Sequence, residues 1–303
     1  MTSSDNKLYA ELLDDIKAIV NDERLYHEKN FNLRAQAIDD IEFHIIDRID
    51  GINELATLKQ YAEKVKHDLE AVNTQMFWQL RAKISTGELR GQLLLNQISE
   101  YFDNDLNSFL LEDKPGYDNL DVFFNGLLID QSLPDETIVR EPEMVFYQKT
   151  PTRIILELIK RADFKSTDVF FDIGSGLGQV SILVNLLTGV TAKGIEFEPA
   201  FCSYADTCAA SLNLTNIEFI NTDASDADYS TGAVFFMYTP FEGKMLQDVL
   251  QKLSREAKKR MIRVFSYGPC TVEVGKQGWL INNCEDQDCL SKFGKFVTSQ
   301  SLA

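Results

Sequence analysis

The sequence predicts an α/β protein with a seven-stranded, doubly wound sheet in its second half and an all-α helical domain before it. Three observations support this prediction. Over residues 8–107, apolar side chains recur at spacings of three and four, with little glycine and no proline, as in amphipathic helices. From residue 168 onward, short runs rich in Val, Phe and Ile alternate with helical segments, as in parallel sheets. A glycine-rich turn at 174–178 joins the first of these runs to the helix that follows.

The composition excludes several classes of protein. The 303 residues are 44% hydrophobic and 25% charged, which is enough for two globular domains. No apolar run reaches the roughly 18 residues of a membrane span, so no membrane association is expected. The segment MTSSDNKLYAELLDD lacks the pattern of a signal peptide. The five cysteines form no C-x-x-C pair, so no metal site is expected, and free thiols indicate a cytoplasmic location.

The net charge of −17 is concentrated in the first half of the chain. Residues 1–150 carry 15 Lys and Arg against 29 Asp and Glu, a net charge of −14. Nucleic-acid backbones bind basic surfaces, so this charge argues against a nucleic-acid partner. Two interpretations of the acidic half stay open: a solvated helical surface that keeps the chain soluble, or a face that recruits a basic partner.

A helical bundle is predicted for residues 1–110, because four segments carry apolar stripes. The predicted helices cover residues 8–19, 38–52, 55–84 and 86–102. Phe77 and Trp78 are expected in the bundle core. The role of the bundle stays open among a substrate-recognition arm, a lid and a homodimer interface.

Residues 111–150 are predicted to be a linker that ends in a covering loop. A turn-forming stretch, EDKPGYDN, is followed by the short apolar element DVFFNGLLI and then by a polar, proline-punctuated segment. That segment directly precedes the α/β domain, predicted for residues 151–303. It is therefore positioned to fold over the carboxyl ends of the strands, where ligands bind in open α/β sheets.

The first strand–helix–strand unit of the α/β domain contains the candidate ligand site. A buried strand at 168–173 leads into the glycine turn, a helix follows at 179–187, and a second strand at 191–195 ends at Glu196. Glycine permits positive φ and close approach of the backbone to a ligand. An acid at the tip of the second strand can accept both hydroxyls of a ribose.

The spacing of the glycines argues against a dinucleotide. Dinucleotide sites use G-x-G-x-x-G and pack a pyrophosphate against the helix N-terminus. Here the spacing is G-x-G-x-G, and Gln179 stands where the third glycine of the dinucleotide pattern would be. Asp172, two residues before Gly174, would repel a pyrophosphate but suits an ammonium group.

The remaining segments complete the alternation and carry the resemblance to a family. Helices are predicted at 152–162, 201–212 and 245–257, and strands at 217–221, 233–238, 261–266, 279–282 and 293–298. D-I-G-S-G-L-G-Q at 172–179 resembles motif I of class I S-adenosylmethionine (SAM) methyltransferases. The stretches GIEFEP, NTDA and FMYTPF follow in the order of that class, and the resemblance covers about residues 145–299. It implies a Rossmann-like methyltransferase sheet, SAM as cofactor and S-adenosylhomocysteine as product.

A narrower resemblance is to the non-SET lysine methyltransferases of the disruptor-of-telomeric-silencing type. It rests on the Gln after the third glycine and on Tyr147-Gln-Lys-Thr150, which stands where that family has a Y-G-E-T loop over SAM. This chain departs from the pattern in two places. Gln-Lys replaces Gly-Glu in the loop, and the fourth strand ends in Tyr238-Thr-Pro-Phe241 instead of Asn-Asn-Phe. The departures leave the lysine substrate open.

The resemblance implies a set of site residues. Asp172 would neutralise the α-ammonium of SAM, Glu196 would accept the ribose hydroxyls, with Glu198 as an alternative, and Asp223 would hold the adenine amino group. Asp172 could instead cap the following turn. The expected cofactor-binding residues are Tyr147, Thr150, Asp172, Gly174, Gly176, Gly178, Gln179, Glu196, Asp223 and Ala224.

Tyr238 and Phe241 are the expected catalytic residues, as walls of an acceptor pocket whose electron-rich rings favour a sulfonium cation. Their alternative is a place in the core. The expected function is methyl transfer to a protein side chain or a small molecule, with basic proteins as the first candidates. A non-catalytic SAM-binding module and a nucleotide-dependent oxidoreductase are the alternatives, and Asp172 argues against the latter. Because no general base stands out, an amine or carboxylate acceptor is favoured over a hydroxyl.

Overall fold

The computed structural model describes residues 3–102, 106, 116–128, 132–282 and 293–298. Two compact units account for the chain: residues 1–83 with 93–127, and residues 84–92 with 128–303. Cys284 and Cys289 lie outside the described residues, and Cys202, Cys208 and Cys270 are buried. No helix in the described ranges is both long and apolar enough to cross a membrane.

The first unit is helical, because its apolar stripes bury one face of each long helix. Leu12, Ile16, Ile41, Leu58 and Leu69 lie in one core cluster. The helices are α1 (Ser3–Val20), α2 (Phe31–Asp39), a π-helical stretch (Asp40–Ile46) that leads into α3 (Asp47–Ile49), α4 (Ala56–Ser85), α5 (Gly91–Ser99) and α6 (Asn119–Leu128), with 3-10 turns at Glu23–Tyr26, Asn53–Leu55 and Glu100–Phe102.

The helix predicted at 38–52 begins at Phe31 and ends at Ile49, and two further predictions for the helical region are wrong. The helix predicted from residue 86 begins at Gly91, because Gly87 and Gly91 both adopt a left-handed conformation, with φ of +84° and +53°. Trp78 is 64% exposed, whereas Phe77 is buried as predicted. Met76, Phe77 and Leu80 form the buried face of α4, and Trp78, about 100° further round the helix than Phe77, lies off that face.

The second unit is built on a seven-stranded sheet, and the predicted fold class is confirmed. The strand order is β3-β2-β1-β4-β5-β7-β6, with β1 to β5 parallel and β7 antiparallel to both of its neighbours. The strands are β1 (Val169–Ile173), β2 (Thr191–Glu196), β3 (Ile217–Asn221), β4 (Val234–Tyr238), β5 (Arg263–Tyr267), β6 (Leu280–Asn282) and β7 (Phe293–Thr298).

Five helices flank the strands; the ends of the first four agree with the predicted ranges within two residues, and the fifth, α11, was not predicted. They are α7 (Thr152–Ala162), α8 (Gln179–Thr188), α9 (Pro199–Ser211), α10 (Gly243–Ala257) and a short α11 (Cys270–Gly275). α8 is buried almost throughout, from Val180 to Leu187, because it lies directly against the sheet. The other helices bury one apolar face.

The topology fixes where a ligand can bind. From β1 the chain moves outward through β2 and β3, then returns to pair β4 on the other side of β1. The loops after β1 and β4 therefore leave the sheet in opposite directions and open a crevice at the carboxyl ends of these strands. The candidate site residues of the first strand–helix–strand unit lie at this crevice.

Candidate active site

A cleft of about 980 Å³, including its open mouth, lies at the carboxyl ends of β1, β2 and β4. Its lining comes from the glycine turn after β1, the tips of β2, β3 and β4, the starts of α8, α9 and α10, and residues 132–150, which we call the strap. The strap residues on the cleft are Glu136, Arg140, Met144, Val145, Phe146, Tyr147, Gln148 and Thr150. The segment predicted to cover the carboxyl ends of the strands is therefore part of the cleft.

Two glycines of the turn have different physical roles. Gly176 has φ of +52°, and a Cβ there would lie 2.2 Å from Cε2 of Tyr147, so the absence of a side chain lets the strap approach the turn. Gly178 has φ of +80°, and its Cβ would lie 2.6 Å from Cβ of Ala205 on α9. Gly178 does not line the cleft. It permits close packing beneath the turn, whereas Gly176 shapes the cleft wall.

Asp172 supplies a buried carboxylate at the end of β1. Asp172 is 2% exposed, and its Oδ2 accepts a hydrogen bond from Ser181 Oγ at 3.2 Å. Among the described residues it forms no ion pair. The pKa of Asp172 is raised to about 7. Burial is the main cause, the hydrogen bond from Ser181 opposes it, and the nearby Glu196 carboxylate adds to it. A cation bound in the cleft would stabilise the ionised form.

The two acids after β2 are distinguished by the donors around them. Glu196 accepts the backbone N–H groups of Gly176 at 2.7 Å and of Glu198 at 2.8 Å, and burial raises its pKa. Glu198 accepts from Thr137 N and Oγ1, from Ile138 N and from Ala200 N, at 2.5–3.0 Å. A carboxylate has about four acceptor positions, so Glu198 is saturated while Glu196 retains acceptor capacity.

Glu198 has a structural role that spacing did not indicate. Its carboxylate caps the N-terminus of α9 and, through Thr137 and Ile138, holds one end of the strap. Burial raises its pKa, but the hydrogen bonds from the strap and from Ala200 outweigh burial and lower it overall. The residue therefore stays ionised at neutral pH as an anchor for the strap.

The tip of β3 contributes Thr222 and Ala224 to the cleft lining, whereas Asp223 between them is not part of it. The Asp223 carboxylate accepts the backbone N–H of Ser225 at 2.6 Å. Its carbonyl oxygen accepts from Asp226 and Ala227. Asp223 therefore organises the turn after β3 in this structure.

Two buried polar atoms in the cleft have no hydrogen-bond partner among the described residues. They are Ser175 Oγ and Gln179 Oε1, and both residues line the cleft. Buried polar atoms are rarely left unsatisfied, so a water molecule or a polar ligand is expected to satisfy these two atoms. The motif indicated Gln179. Ser175 was missed, although its place between two glycines of the turn was a signal that could have been used.

A second cavity, of about 670 Å³ including its open mouth, adjoins the cleft at the end of β4. The Tyr238 and Tyr267 rings are in contact there, with centroids 4.8 Å apart and their planes tilted by 47°. The residues shared with the cleft are Val145, Phe146, Gln148, Tyr238 and Thr239, and those found in the second cavity alone are Glu242, Tyr267, Gly268 and Pro269. No motif in the sequence indicated Tyr267, because β5 is far from β4 along the chain.

Tyr238 and Phe241 occupy different environments. Tyr238 is half-buried and lies where the two cavities meet. Phe241 lines the cleft but is only 3% exposed and belongs to a core cluster with Met237 and Leu246. Phe241 therefore lines the cleft and packs in the core at the same time.

Thr239 holds the tip of β4 in an unusual conformation. Its φ is +37°, and its side chain is fixed on both sides. Oγ1 donates to the carbonyl oxygen of Tyr267 and accepts the N–H of Cys270, each at 3.1 Å. Because these bonds tie β4 to β5, they also hold the Tyr238 and Tyr267 rings together.

Ten of the twelve predicted site residues line the cleft: Tyr147, Thr150, Asp172, Gly174, Gly176, Gln179, Glu196, Ala224, Tyr238 and Phe241. Gly178 and Asp223 do not. No group of three or more His, Cys, Asp or Glu among the described residues is arranged to hold a metal ion. The predicted roles of these residues stay predictions.

A family model described as "Histone methylation protein DOT1" matches residues 143–235, just under a third of the chain. The match begins in the strap and ends in β4, so it contains the glycine turn and both acids after β2. No curated protein matches the chain.

Several solved structures are similar to this one at low identity. An RNA methyltransferase from Salinibacter ruber, in complex with S-adenosyl-L-homocysteine, is 20% identical over 52% of this chain and 97% of that one, with a TM-score of 0.42. A SAM-dependent methyltransferase from Aquifex aeolicus is 17% identical over 49% and 93%, with a TM-score of 0.39. A putative SAM-dependent methyltransferase from Methanococcus maripaludis is 14% identical over 50% and 86%, with a TM-score of 0.38.

At these low identities and TM-scores, the substrates of the similar proteins are not inferred for this chain. The strand order and the family model both agree with the resemblance that the sequence motifs indicated. The chain resembles class I, Rossmann-like SAM methyltransferases, and over residues 143–235 it resembles the DOT1 type.

Proposed function

We propose that this protein is a SAM-dependent methyltransferase whose cofactor lies in the cleft and whose acceptor enters through the second cavity. The observation that carries the proposal is the Asp172 carboxylate, buried at the floor of the cleft without a cation among its described contacts. A buried carboxylate of this kind costs stability unless a cation joins it. The α-ammonium of SAM supplies that cation at the position where the resemblance places it.

The other cleft residues fit the same cofactor. Glu196 retains acceptor capacity for ribose hydroxyls, and Glu198 does not. Ser175 Oγ and Gln179 Oε1 offer unsatisfied polar atoms to the polar end of the ligand. Tyr147 lies over Gly176 and would close the cleft above it. Ala224 offers a backbone N–H to the adenine ring.

SAM supplies an electrophilic methyl on a sulfonium, and methyl transfer forms one bond to the acceptor atom as the sulfur–carbon bond breaks. The protein's contribution is to align the two reactants and to exclude water. The junction of the two cavities at Tyr238 and Thr239 is where this alignment has to occur. The rigid attachment of Thr239 to Tyr267 and Cys270 keeps that junction in place.

The second cavity supports an amine acceptor carried by a basic protein. Its lining includes Tyr238, Tyr267 and Glu242, a combination of aromatic rings and a carboxylate that attracts a cation before it is deprotonated, whereas the Phe146 ring is covered by the Arg140 guanidinium. The net charge of −17 favours association with a basic polypeptide and disfavours nucleic acid. An amine that has lost its proton to water has a lone pair for the methyl and needs no strong protein base.

The test is calorimetric titration with SAM and, separately, with NADH, followed by transfer of a tritiated methyl from SAM to purified core histones. We expect micromolar SAM binding, no NADH binding, and label in the protein fraction. Glu196→Ala should lose SAM binding. The matched control is Glu218→Ala, which removes an exposed carboxylate on the neighbouring strand β3.

Folded protein that does not bind SAM would contradict the proposal as a whole. SAM binding without transfer to histones or to other basic proteins would contradict the catalytic part and favour a non-catalytic SAM-binding module.

A further inference from the structure

The strap is attached to the tip of β4 by a short antiparallel pairing. Val145 N–H donates to the carbonyl oxygen of Pro240 at 3.0 Å, and Glu242 N–H donates to the carbonyl oxygen of Glu143 at 2.8 Å. Met144 and Phe241 form the bridge between these two bonds. The strap thus contacts the segment that follows Tyr238, on the acceptor side of the cleft.

Glu143 extends this attachment into helix α10. Its carboxylate accepts the backbone N–H of Lys244 at 2.9 Å and of Met245 at 2.7 Å. These are orphan donors in the first turn of α10, and the N-cap residue of the helix, Glu242, makes no side-chain capping bond. The cap is therefore supplied by a residue about a hundred positions earlier in the chain.

The local sequence of α10 is adapted to this cap. Gly243 has φ of +55°, and a Cβ at this position would lie 2.4 Å from Oε1 of Glu143. The backbone N–H groups of Lys244 and Met245 lower the pKa of Glu143, so the carboxylate is ionised and suited to the positive end of the helix dipole.

The two sides of the cap face different parts of the site. On the strap side, the residues after Glu143 line the cofactor cleft and continue to Tyr147, which lies against Gly176. On the α10 side, Met245 also lines the cleft, and Tyr238 and Glu242, which precede the helix, line the second cavity. Movement of the strap away from the cleft would remove the cap from α10.

We propose that Glu143 is a positioning residue that couples the strap to the acceptor wall, so that closure over the cofactor and ordering of the start of α10 occur together. This inference rests on the proposed function, since it takes SAM as the ligand that closes the strap. Its physical basis is that one carboxylate satisfies two backbone donors on a segment that contains acceptor-wall residues.

Amide hydrogen exchange with and without SAM tests the coupling. In the wild-type protein, SAM should slow exchange at the Lys244 and Met245 amides by about tenfold or more, because a closed strap reduces local opening of the cap. In Glu143→Ala these two amides should exchange fast with and without SAM, while SAM still slows exchange at residues 174–179. Glu143→Gln, whose single amide oxygen can replace part of the cap, should give an intermediate result. Glu141→Ala, an exposed carboxylate on the same strap, should behave as wild type.

The outcomes separate this inference from the proposed function. If SAM slows no exchange at residues 174–179 of the wild-type protein, the proposed function fails, and the inference fails with it. If SAM slows exchange at residues 174–179 but not at Lys244 and Met245, the inference alone is overturned. Retained SAM-dependent protection of those two amides in Glu143→Ala also overturns it. Should Glu143→Ala not fold, the same comparison is made with Glu143→Gln, and protection equal to wild type is then the contradicting result.

Discussion

The carboxylate of Glu196 accepts the backbone N–H of Gly176 at 2.7 Å, which joins the tip of β2 to the glycine turn after β1. Two motifs that lie twenty residues apart in sequence thus form one wall of the cleft. Gly176 is also the residue on which Tyr147 of the strap lies. The acid, the turn and the strap therefore form a connected unit, and a substitution in one of them should alter the structure of the others.

Exchange of Glu198 for alanine should loosen the strap and destabilise α9 without removing the proposed ribose acceptor. Loss of an N-cap typically costs about 0.5–2 kcal/mol, and four donors lose their partner here. We expect a lower urea midpoint and a several-fold weaker affinity for SAM, against loss of binding in Glu196→Ala. Equal affinity losses in the two variants, measured by calorimetry, would contradict the assignment of the ribose to Glu196.

Asp172→Asn should stabilise the free protein at alkaline pH. The pKa of Asp172 in the folded state is raised to about 7 from its ordinary value of 3.8, so between these pH values the folded protein holds a proton that the unfolded chain has released. Stability therefore falls as the pH rises from about 4 to about 7, with a total cost of up to about 4 kcal/mol. Thermal unfolding at pH 5 and pH 8 should show a larger gain for the variant at pH 8. A gain of the same size at both pH values would argue against a raised pKa.

The wild-type protein should bind SAM more weakly as the pH falls below about 7, because a proton competes with the ammonium for Asp172. The slope should approach tenfold in Kd for each pH unit in that range. Titrations at pH 6, 7 and 8 measure it, and Asp172→Asn should bind weakly at each pH. A wild-type affinity that does not change across this range would show that Asp172 does not meet the charge of the ligand.

Gly178→Ala should destabilise the protein more than Gly189→Ala, although both glycines have positive φ. A Cβ at Gly178 would lie 2.6 Å from Ala205 and 2.7 Å from Phe219, whereas at Gly189 it would meet no atom within 4 Å. The φ strain alone costs about 1 kcal/mol at either site, and the clash adds about 1–3 kcal/mol at Gly178. Urea unfolding of the two variants provides the comparison. Equal losses would mean that α9 moves aside freely.

Tyr267→Ala should weaken binding of the acceptor and leave the affinity for SAM unchanged. Tyr267 lines the second cavity but not the cleft, so KM for a basic protein acceptor should rise by about 10-fold, the equivalent of about 1–2 kcal/mol of cation–π binding. Tyr267→Phe retains the ring and serves as the control. Parallel calorimetry with SAM should show little change in either variant. A loss of SAM affinity as large as the loss of methyl transfer would show that Tyr267 contributes to cofactor binding instead of acceptor binding.

The sequence determined the sheet and the floor of the cleft, because these depend on local patterns. Alternating buried strands and amphipathic helices specify a doubly wound sheet, and residues at strand ends meet at its carboxyl edge whatever the loops do. Asp172 and Glu196 were identified in this way, since each ends or nearly ends a strand beside the topological switch. The glycine turn was recognised by spacing alone.

Only the tertiary structure decided how the two acids after β2 differ, what Gly178 does and where the second cavity lies. Glu198 is saturated by Thr137 and Ile138, about sixty residues earlier, and Glu143 caps α10 from about a hundred residues away. Tyr267 meets Tyr238 because β4 and β5 pair side by side. Such contacts depend on which elements become neighbours after folding, so no spacing within one segment can reveal them. The sequence specified which groups stand at the edge of the sheet, and the packing of distant segments decided which of them remain available to a ligand.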